Sequence, residues 1–238
     1  MNGNNMENYL VIGGGGIAKA LAKRLAQLYS EAKITVISRQ ELTFECDNIR
    51  LIQIEQHSET YIASVVATLT TQFDGVFCCL GKLHDEAINP EKNITHWQWQ
   101  ANQAIIEANA FAPFCYLVHL QKNLKDQCKV AVLSARVGSI SDNRLGGWYS
   151  YRMAKAALNM LLKTASIEFK RRMPTLCLFA FHPGTTDTDL SKPFQKNVPK
   201  EKLFSAAFSA NCLVQLAEQV TAEDSGKFYA WDGQEIEW

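Results

Sequence analysis

The chain has 238 residues, 47% hydrophobic and 20% charged, as expected for one soluble α/β domain. Its 24 basic and 24 acidic side chains balance, so its charge favours neither a nucleic-acid partner nor an anionic membrane. No apolar run reaches the roughly 18 to 20 residues of a membrane-spanning helix, and the polar N-terminus lacks the pattern of a signal peptide. We therefore expect a cytoplasmic protein, with residues 1–7 flexible.

Short apolar runs alternate with amphipathic stretches along the chain. In chain order they predict a strand at 9–13, a helix at 17–30, strands at 33–38 and 49–54, a helix at 59–72, a strand at 75–80, a long helix at about 95–122, a strand at 129–134, a helix at about 149–170, a strand at 176–181, a helix at 205–219 and a strand at 226–231. Near-continuous apolar strands separated by helices predict a parallel sheet covered on both faces. No linker or repeat interrupts the series, so we expect one doubly wound domain over residues 1–238.

A glycine-rich loop, VIGGGGIAKAL, joins the first predicted strand to the first helix. Gly13, Gly15 and Ala18 match the G-x-G-x-x-G/A spacing of a dinucleotide-binding fingerprint, the signature of a Rossmann fold. Glycines permit the tight turn and let the backbone approach a pyrophosphate, which the free N–H groups of the helix then attract. The loop, with Gly16 and Ile17, is predicted to bind a dinucleotide; the alternative is a flexible turn that binds nothing.

The residues that end the second strand predict which dinucleotide is bound. A site specific for NAD usually has an acidic residue there, which bonds the ribose 2′-hydroxyl. This chain has Ser38 and Arg39 instead, and a guanidinium can bind the 2′-phosphate of NADP as a fork. We expect NADP(H) to be preferred over NAD(H), unless Arg39 is only a solvated surface charge.

Seven cysteines are scattered along the chain without a CxxC pair. Their odd number and apolar surroundings predict reduced core thiols rather than a disulfide framework. The cysteines and the five histidines show no spacing typical of metal ligands, so no metal site is predicted.

Tyr151 and Lys155 stand four residues apart in GGWYSYRMAK and share a face of the predicted helix. An ammonium beside a phenol stabilises the phenolate, so Lys155 is expected to lower the pKa of Tyr151 towards neutrality, where Tyr151 could act as a general acid or base. Tyr149 has Met153 four residues later and is the weaker candidate. Because this spacing is common by chance and could be ordinary helix surface, its interpretation depends on the neighbouring motifs.

Four further motifs follow the glycine loop: FDGVFCCLG, IEANAFAPF, VAVLSARVGSISDNRLGGWYSYRMAKAALNMLL and FHPGTTDTDLSKPF. In this order the five motifs resemble the short-chain dehydrogenase/reductase family over essentially the whole chain. The segments GSISDN, GGWYSYR and PGTTDTDLSKPF are most similar to the subgroup that contains the C-factor signalling proteins and the sniffer-type carbonyl reductases.

The resemblance implies an NADP(H)-dependent oxidoreductase that reduces a carbonyl, or oxidises the alcohol, by hydride transfer. Tyr151 would be the general acid or base, and Lys155 would bond the nicotinamide ribose and lower the pKa of Tyr151. Asn109 would hold a water that extends the proton relay. The other cofactor-binding residues that the resemblance implies are Gly81, Pro183, Gly184, Thr186 and Thr188.

Three departures from the family pattern affect these expectations. The glycine loop is one residue shorter than usual. CCLG replaces NNAG, and Cys78 and Cys79 are predicted to be core thiols rather than redox groups. The serine pair reads Ser134–Ala135, although the second position normally polarises the carbonyl; Ser134 is the preferred substitute because it ends the strand, and Ser139 is the alternative.

The sequence says less about the residues that bind the substrate than about those that bind the cofactor. The segment 189–205 is loop-like and is expected to cover the substrate, as in the family. The residues predicted to line the substrate pocket are Ser139, Trp148, Tyr149, Leu190 and Phe194. They favour an apolar or aromatic carbonyl compound. The C-terminal aromatic residues could pack between subunits, since family members are usually homodimers or homotetramers.

A second function class stays open: a C-factor-like signalling or regulatory protein that binds the cofactor with little turnover. The missing second serine and the missing NNAG favour it. The intact set of Asn109, Tyr151 and Lys155 favours the enzyme, because a sensor needs no complete proton relay.

Overall fold

The computed structural model describes residues 7–238, so the expected flexibility of residues 1–7 falls almost wholly outside the described residues. Its strands are β1 (Asn8–Ile12), β2 (Lys33–Ser38), β3 (Ile49–Gln53), β4 (Phe73–Cys78), β5 (Leu124–Leu133), β6 (Cys177–His182), β7 (Thr185–Thr186), β8 (Leu203–Phe204) and β9 (Phe228–Ala230). Seven of them form one parallel sheet in the order β3-β2-β1-β4-β5-β6-β9, and β7 pairs with β8.

Helices cover both faces of this sheet. They are α1 (Gly16–Leu28), α2 (Glu59–Ala67), α3 (Trp99–Ile106), α4 (Ala112–Leu120), α5 (Tyr149–Arg172) and α6 (Ala206–Gln219). One core cluster joins the sheet to α1 and α6, and another joins it to α2, α4 and α5. The prediction of a doubly wound, Rossmann-type α/β domain is therefore confirmed.

The strand order reverses between β1 and β4, which are hydrogen-bonded neighbours. From β1 the chain adds strands outward in one direction, and from β4 it adds them in the other. Open parallel sheets bind ligands in the crevice that such a reversal leaves beyond the carboxyl ends of the strands. The glycine loop follows β1 and the segment containing Cys79 follows β4, so both lie at this crevice.

The helical stretch expected at about 95–122 is confirmed over residues 99–123, but it is not one regular α-helix. After α3 the chain forms a five-residue π-helical turn, Glu107–Phe111, before α4 begins. Pro113 explains the change, because proline has no N–H and cannot bond the carbonyl of Asn109 four residues earlier. Such π-turns often occur at functional sites.

Two segments expected to be irregular or intersubunit have defined internal contacts. Within 189–205 the chain forms short 3₁₀ turns at Lys192–Asn197 and Lys200–Lys202 before β8. Trp238 stacks on Phe228 at a ring-centroid distance of 5.5 Å, so this tail aromatic packs inside its own subunit.

All seven cysteines are free. Among residues 7–238, no cluster of three or more His, Cys, Asp or Glu side chains could hold a metal ion, and no helix is long and apolar enough to cross a membrane.

Candidate active site

A cleft of about 1020 Å³ opens at the carboxyl ends of the strands where the strand order reverses. Its wall brings together all of the residues predicted to bind the cofactor: Gly13, Gly15, Gly16, Ile17, Ser38, Arg39, Gly81, Lys155, Pro183, Gly184, Thr186 and Thr188. These residues come from five separate segments of the chain. Their convergence makes the cleft the candidate active site.

The glycine loop has the geometry that a dinucleotide requires. Gly13 has φ of +130°, and a Cβ there would lie 3.2 Å from the backbone oxygen of Cys79. A Cβ on Gly15 would meet no atom within 4 Å, so this glycine borders open space in the cleft. Gly15 also caps α1 without a side-chain hydrogen bond, and the first turn has no acidic residue. The free N–H groups of α1 therefore fit a pyrophosphate.

Ser38 and Arg39 lie together in the wall of the cleft, at the end of β2. Ser38 is fully buried, and its hydroxyl accepts a hydrogen bond of 2.9 Å from the backbone N–H of Gln40. The Arg39 side chain is exposed and, among residues 7–238, forms no hydrogen bond or ion pair. Its guanidinium is therefore free to bind an anionic group.

Tyr151 and Lys155 are both buried on α5, with 8% and 2% of their surfaces exposed. The Lys155 ammonium donates a 2.9 Å hydrogen bond to the carbonyl of Leu133 at the end of β5 and lies 5.8 Å from the centre of the Tyr151 ring. Burial lowers the pKa of Lys155 to about 8 and raises the pKa of Tyr151. The expected lowering of the tyrosine pKa is therefore wrong for this arrangement, because burial dominates and the ammonium bonds a carbonyl.

A buried carboxylate fixes the start of α5, two residues before Tyr151. The backbone carbonyl of Glu91 accepts a 2.6 Å hydrogen bond from the N–H of Trp148, which has a left-handed backbone (φ 54°). The side-chain carboxylate of Glu91 accepts hydrogen bonds from both the N–H and the hydroxyl of Ser150. A carboxylate at a helix N-terminus is stabilised by free N–H groups and the helix dipole. Sequence reasoning missed Glu91, because the contact joins residues 59 positions apart.

Asn109 lies in the π-turn and is fully buried. Its amide nitrogen donates to the carbonyls of Lys82 (2.6 Å) and Ile105 (2.8 Å), and its amide oxygen accepts from the N–H of Lys82 (3.1 Å). The side chain therefore braces the segment after β4. Its amide oxygen and the Lys155 ammonium both lie within 4 Å of the point where Gly81 would carry a Cβ.

The two candidate serines lie in different surroundings. Ser134 lines the cleft, and its hydroxyl donates to the amide oxygen of Asn159 at 2.6 Å. Ser139 is buried away from the cleft wall and donates to the carbonyl of Glu237 at 2.5 Å. Ala135 lines the cleft and packs against the cluster that contains Tyr151.

Aromatic rings form the far end of the cleft. Trp148 contacts Phe194 and Tyr151 edge-on, at centroid distances of 5.1 and 6.2 Å, and Leu190 lies in the same wall. Tyr149, contrary to the prediction, points outside this wall and is 39% exposed, and Ser139 also lies outside it. The predicted apolar and aromatic character of the pocket therefore comes from the other three predicted residues.

The two adjacent cysteines differ in position. Cys78 is buried in the core, and burial raises its pKa to about 11. Cys79 lines the cleft beside the glycine loop, and burial raises its pKa as well. A protonated thiol is a weak nucleophile. The prediction of a core thiol is confirmed for Cys78, whereas Cys79 is only partly buried and lies in the cleft wall.

Together, the doubly wound fold and the cleft at its strand reversal have the arrangement in which open parallel sheets bind ligands. The family model described as short chain dehydrogenase matches residues 7–199. The chain belongs to the short-chain dehydrogenase family.

Several relatives share part of the sequence. The 1-hydroxy-2-glutathionyl-2-methyl-3-butene dehydrogenase of Rhodococcus sp. (strain AD45) is 34% identical over 134 residues, which cover 56% of this chain and 57% of that protein. The C-signal protein of Myxococcus xanthus is 32% identical over 110 residues, which cover 46% and 61%. These alignments span less than two thirds of either relative.

Solved structures share the fold over nearly the whole chain. The carbonyl reductase Sniffer of D. melanogaster superposes with a TM-score of 0.82 and 20% identity, covering 98% of this chain and all of that one. The NADPH-bound carbonyl reductase from chicken fatty liver has a TM-score of 0.81 and 20% identity, covering 98% and 94%. At this level of identity the likeness concerns the fold.

Proposed function

We propose that the protein is an NADP(H)-dependent carbonyl reductase with Tyr151 as general acid. The observation that carries this proposal is the burial of Tyr151 and Lys155 in the wall of the same cleft as the residues predicted to bind a dinucleotide. When bound, the reduced nicotinamide supplies the hydride. The raised pKa of Tyr151 keeps its phenol protonated at neutral pH, so it has a proton to give to the carbonyl oxygen.

Lys155 passes a proton to Tyr151 and regains one from solvent through a water held by Asn109. The pKa of Lys155, about 8, is close to neutrality, so its ammonium can release and regain a proton near physiological pH. The backbone carbonyl of Asn109 has no α-helical partner, since Pro113 stands four residues later. This carbonyl is suited to hold a water between Lys155 and the solvent.

The reaction is tested by following NADPH oxidation against a panel of aldehydes, ketones and quinones. Turnover of some panel members supports the proposal. Tight NADPH binding without any turnover favours the second candidate, a cofactor-binding signalling or regulatory protein. The similarity to C-signal and the replacement of the acting serine by Ala135 favour that candidate. Failure to bind either NADPH or NADH contradicts both.

The preference for NADP(H) is assigned to Arg39. Replacing Arg39 with alanine is expected to weaken NADPH binding by about 10- to 100-fold, because a charge-assisted hydrogen bond contributes roughly 1.5 to 3 kcal/mol. NADH affinity should stay unchanged, since NADH has no 2′-phosphate. Titration of nicotinamide fluorescence measures both, and Arg50→Ala, an exposed arginine on the neighbouring strand, is the control. Unchanged NADPH affinity in Arg39→Ala would contradict the assignment.

Ser134 is proposed to polarise the substrate carbonyl. Its place in the cleft wall supports this role, and its hydroxyl must turn from Asn159 to reach a substrate. Ser134→Ala is expected to lower kcat/KM by about 10- to 100-fold. Removing one fully preorganised oxyanion donor costs about 10²- to 10³-fold, and a hydroxyl that must first turn should contribute less. Ser139→Ala is the matched control, with turnover kept. The reverse pattern would assign the role to Ser139.

A homodimer or homotetramer is proposed through the outer surface of α4 and α5. Met153, Met160 and Ile167 are exposed at intervals of seven residues on α5. Phe111 and Val118 have the same spacing along the neighbouring helix and are also exposed. Apolar stripes of this kind are typical of helices that pack against a partner, and light scattering would measure the assembly.

A further inference from the structure

Two arginines of the cleft wall have no side-chain hydrogen bond within residues 7–238: Arg39 and Arg136. Arg39 is accounted for by the proposed 2′-phosphate. Arg136 follows β5 directly, on the opposite side of the strand reversal from β2, so the same phosphate cannot reach both. By contrast, Arg152 donates to the carbonyls of Gly147, Val137 and Gly146. Arg152 is structural, and Arg136 has no comparable role.

The charge of Arg136 is only weakly compensated. Its nearest carboxylate, on Asp142, is 3.8 Å away, and both side chains are 46% exposed. Ion pairs at this distance and exposure contribute little. Lys82, also in the cleft wall, is bound to Asp85 at 2.5 Å. Asp85, Asp189 and Glu107 line the cleft too, so the cleft is not cationic throughout.

His182 supplies a second uncommitted polar group beside Arg136. The N–H of Ser134 bonds the carbonyl of Phe181, which places the start of the Arg136 turn next to His182 on the adjacent strand. The Nδ1 atom of His182 is fully buried without a hydrogen-bond partner. Burial has the largest effect on the pKa of His182 and lowers it. The positive charge of Arg136 lowers it further and the negative charge of Asp232 raises it, and the resulting pKa is about 4. The ring is therefore neutral and can carry its hydrogen on Nδ1.

The side chain of His182 lies on the face of the sheet that α5 covers. Side chains two residues apart on a strand share a face, and Ala180 packs in the core cluster that includes Leu158 of α5. The ring of His182 therefore faces the same side as the helix that carries Tyr151. Arg136 and His182 both line the cleft, and adjacent strands are about 4.8 Å apart, so a ligand near β5 and β6 can contact both side chains. Because Nδ1 itself is buried, the ring must turn towards the cleft for this atom to donate.

We infer that Arg136 and His182 form an anion subsite, and that the carbonyl substrate of this enzyme carries a carboxylate. The inference rests on the proposed function. The planar guanidinium matches a carboxylate with two parallel hydrogen bonds, and the distant, half-exposed Asp142 leaves the guanidinium of Arg136 able to make them. Val137, Phe194 and Trp148 supply an apolar wall beside it for the body of the substrate.

The matched substrates are 4-formylbenzoate and its methyl ester, which present the same ring and aldehyde with and without the charge. Wild-type protein is expected to reduce the carboxylate with a kcat/KM about 10- to 100-fold higher than the ester. Arg136→Met should remove this preference by lowering kcat/KM for the carboxylate to about the value for the ester, while Arg136→Lys should keep part of it. Arg144→Met, an exposed arginine outside the cleft, is the control and should behave as wild type. His182→Gln, in a protein that keeps Arg136, should reduce the preference for the carboxylate over the ester.

A binding measurement separates failure of this inference from failure of the proposed reaction. Calorimetric titration of the NADP⁺-loaded protein with benzoate and with neutral benzamide needs no turnover. Tighter binding of benzoate, lost in Arg136→Met, supports the subsite even if no aldehyde is reduced. Equal binding of the two compounds, or a benzoate preference that survives in Arg136→Met, overturns it. Reduction of the ester and the carboxylate at equal rates overturns the inference and leaves the reductase intact.

Discussion

Tyr151→Phe is expected to lower carbonyl turnover by about 10²- to 10⁴-fold, the range that general acid catalysis contributes. The substitution removes one hydroxyl and keeps the ring that packs against Trp148. Because Lys155 holds its place through the carbonyl of Leu133, the cofactor site should survive the change. We therefore expect the loss in kcat, with NADPH affinity unchanged, in parallel rate and titration measurements.

Tyr149→Phe is the matched control, since this tyrosine is on the same helix, is exposed and lies outside the cleft wall. Its turnover should equal that of the wild type. Equal losses in both variants would indicate a structural effect on the start of α5. Full activity in Tyr151→Phe would show that another group gives the proton.

The order of the strands and helices could be predicted because each element has its own local pattern. β2 spans 33–38, as expected, and the other large elements differ from expectation mainly at their ends. The helical stretch expected at about 95–122 is present, but the π-turn inside it was not predicted, because the apolar pattern continues through that turn. Pro113 was the available signal, since it removes a hydrogen bond from Asn109.

The cofactor side of the cleft was predictable for a similar reason. Its residues belong to short motifs at strand ends, and parallel strands bring those ends together. Glu91 and Arg136 were not identified, because their importance depends on contacts between segments that are far apart in sequence. Ser139 was misplaced because spacing before the tyrosine cannot show that its hydroxyl bonds the C-terminal segment at Glu237.

The pKa of Tyr151 illustrates the same limit. A spacing of four residues on a helix predicts that two side chains are neighbours, but not which group the ammonium bonds. In the folded protein Lys155 turns to a carbonyl of β5, 22 residues away. Burial then controls both groups, raising one pKa and lowering the other.

Lys155→Met is expected to abolish most turnover and, at pH 7, to raise the free energy of unfolding by about 3 kcal/mol. The pKa of Lys155 falls from 10.5 to about 8 on folding because burial penalises the ammonium, and each pKa unit corresponds to about 1.36 kcal/mol. Below pH 8 both states are protonated and the whole cost is present. As the pH rises from 8 to 10.5 the folded state binds fewer protons than the unfolded state, so this cost disappears.

The stability difference between Lys155→Met and wild type should therefore be largest at pH 7 and shrink towards zero near pH 10.5. Urea denaturation over this range measures it, with Lys163→Met, a lysine on the same helix that bonds the carbonyl of Gly226, as the control. A variant less stable than wild type at pH 7, or a difference that does not change with pH, would contradict the cost assigned to burial. Stability lost at a buried charge is typical of groups retained for chemistry, and a measured cost at Lys155 would support the role proposed for it beside Tyr151.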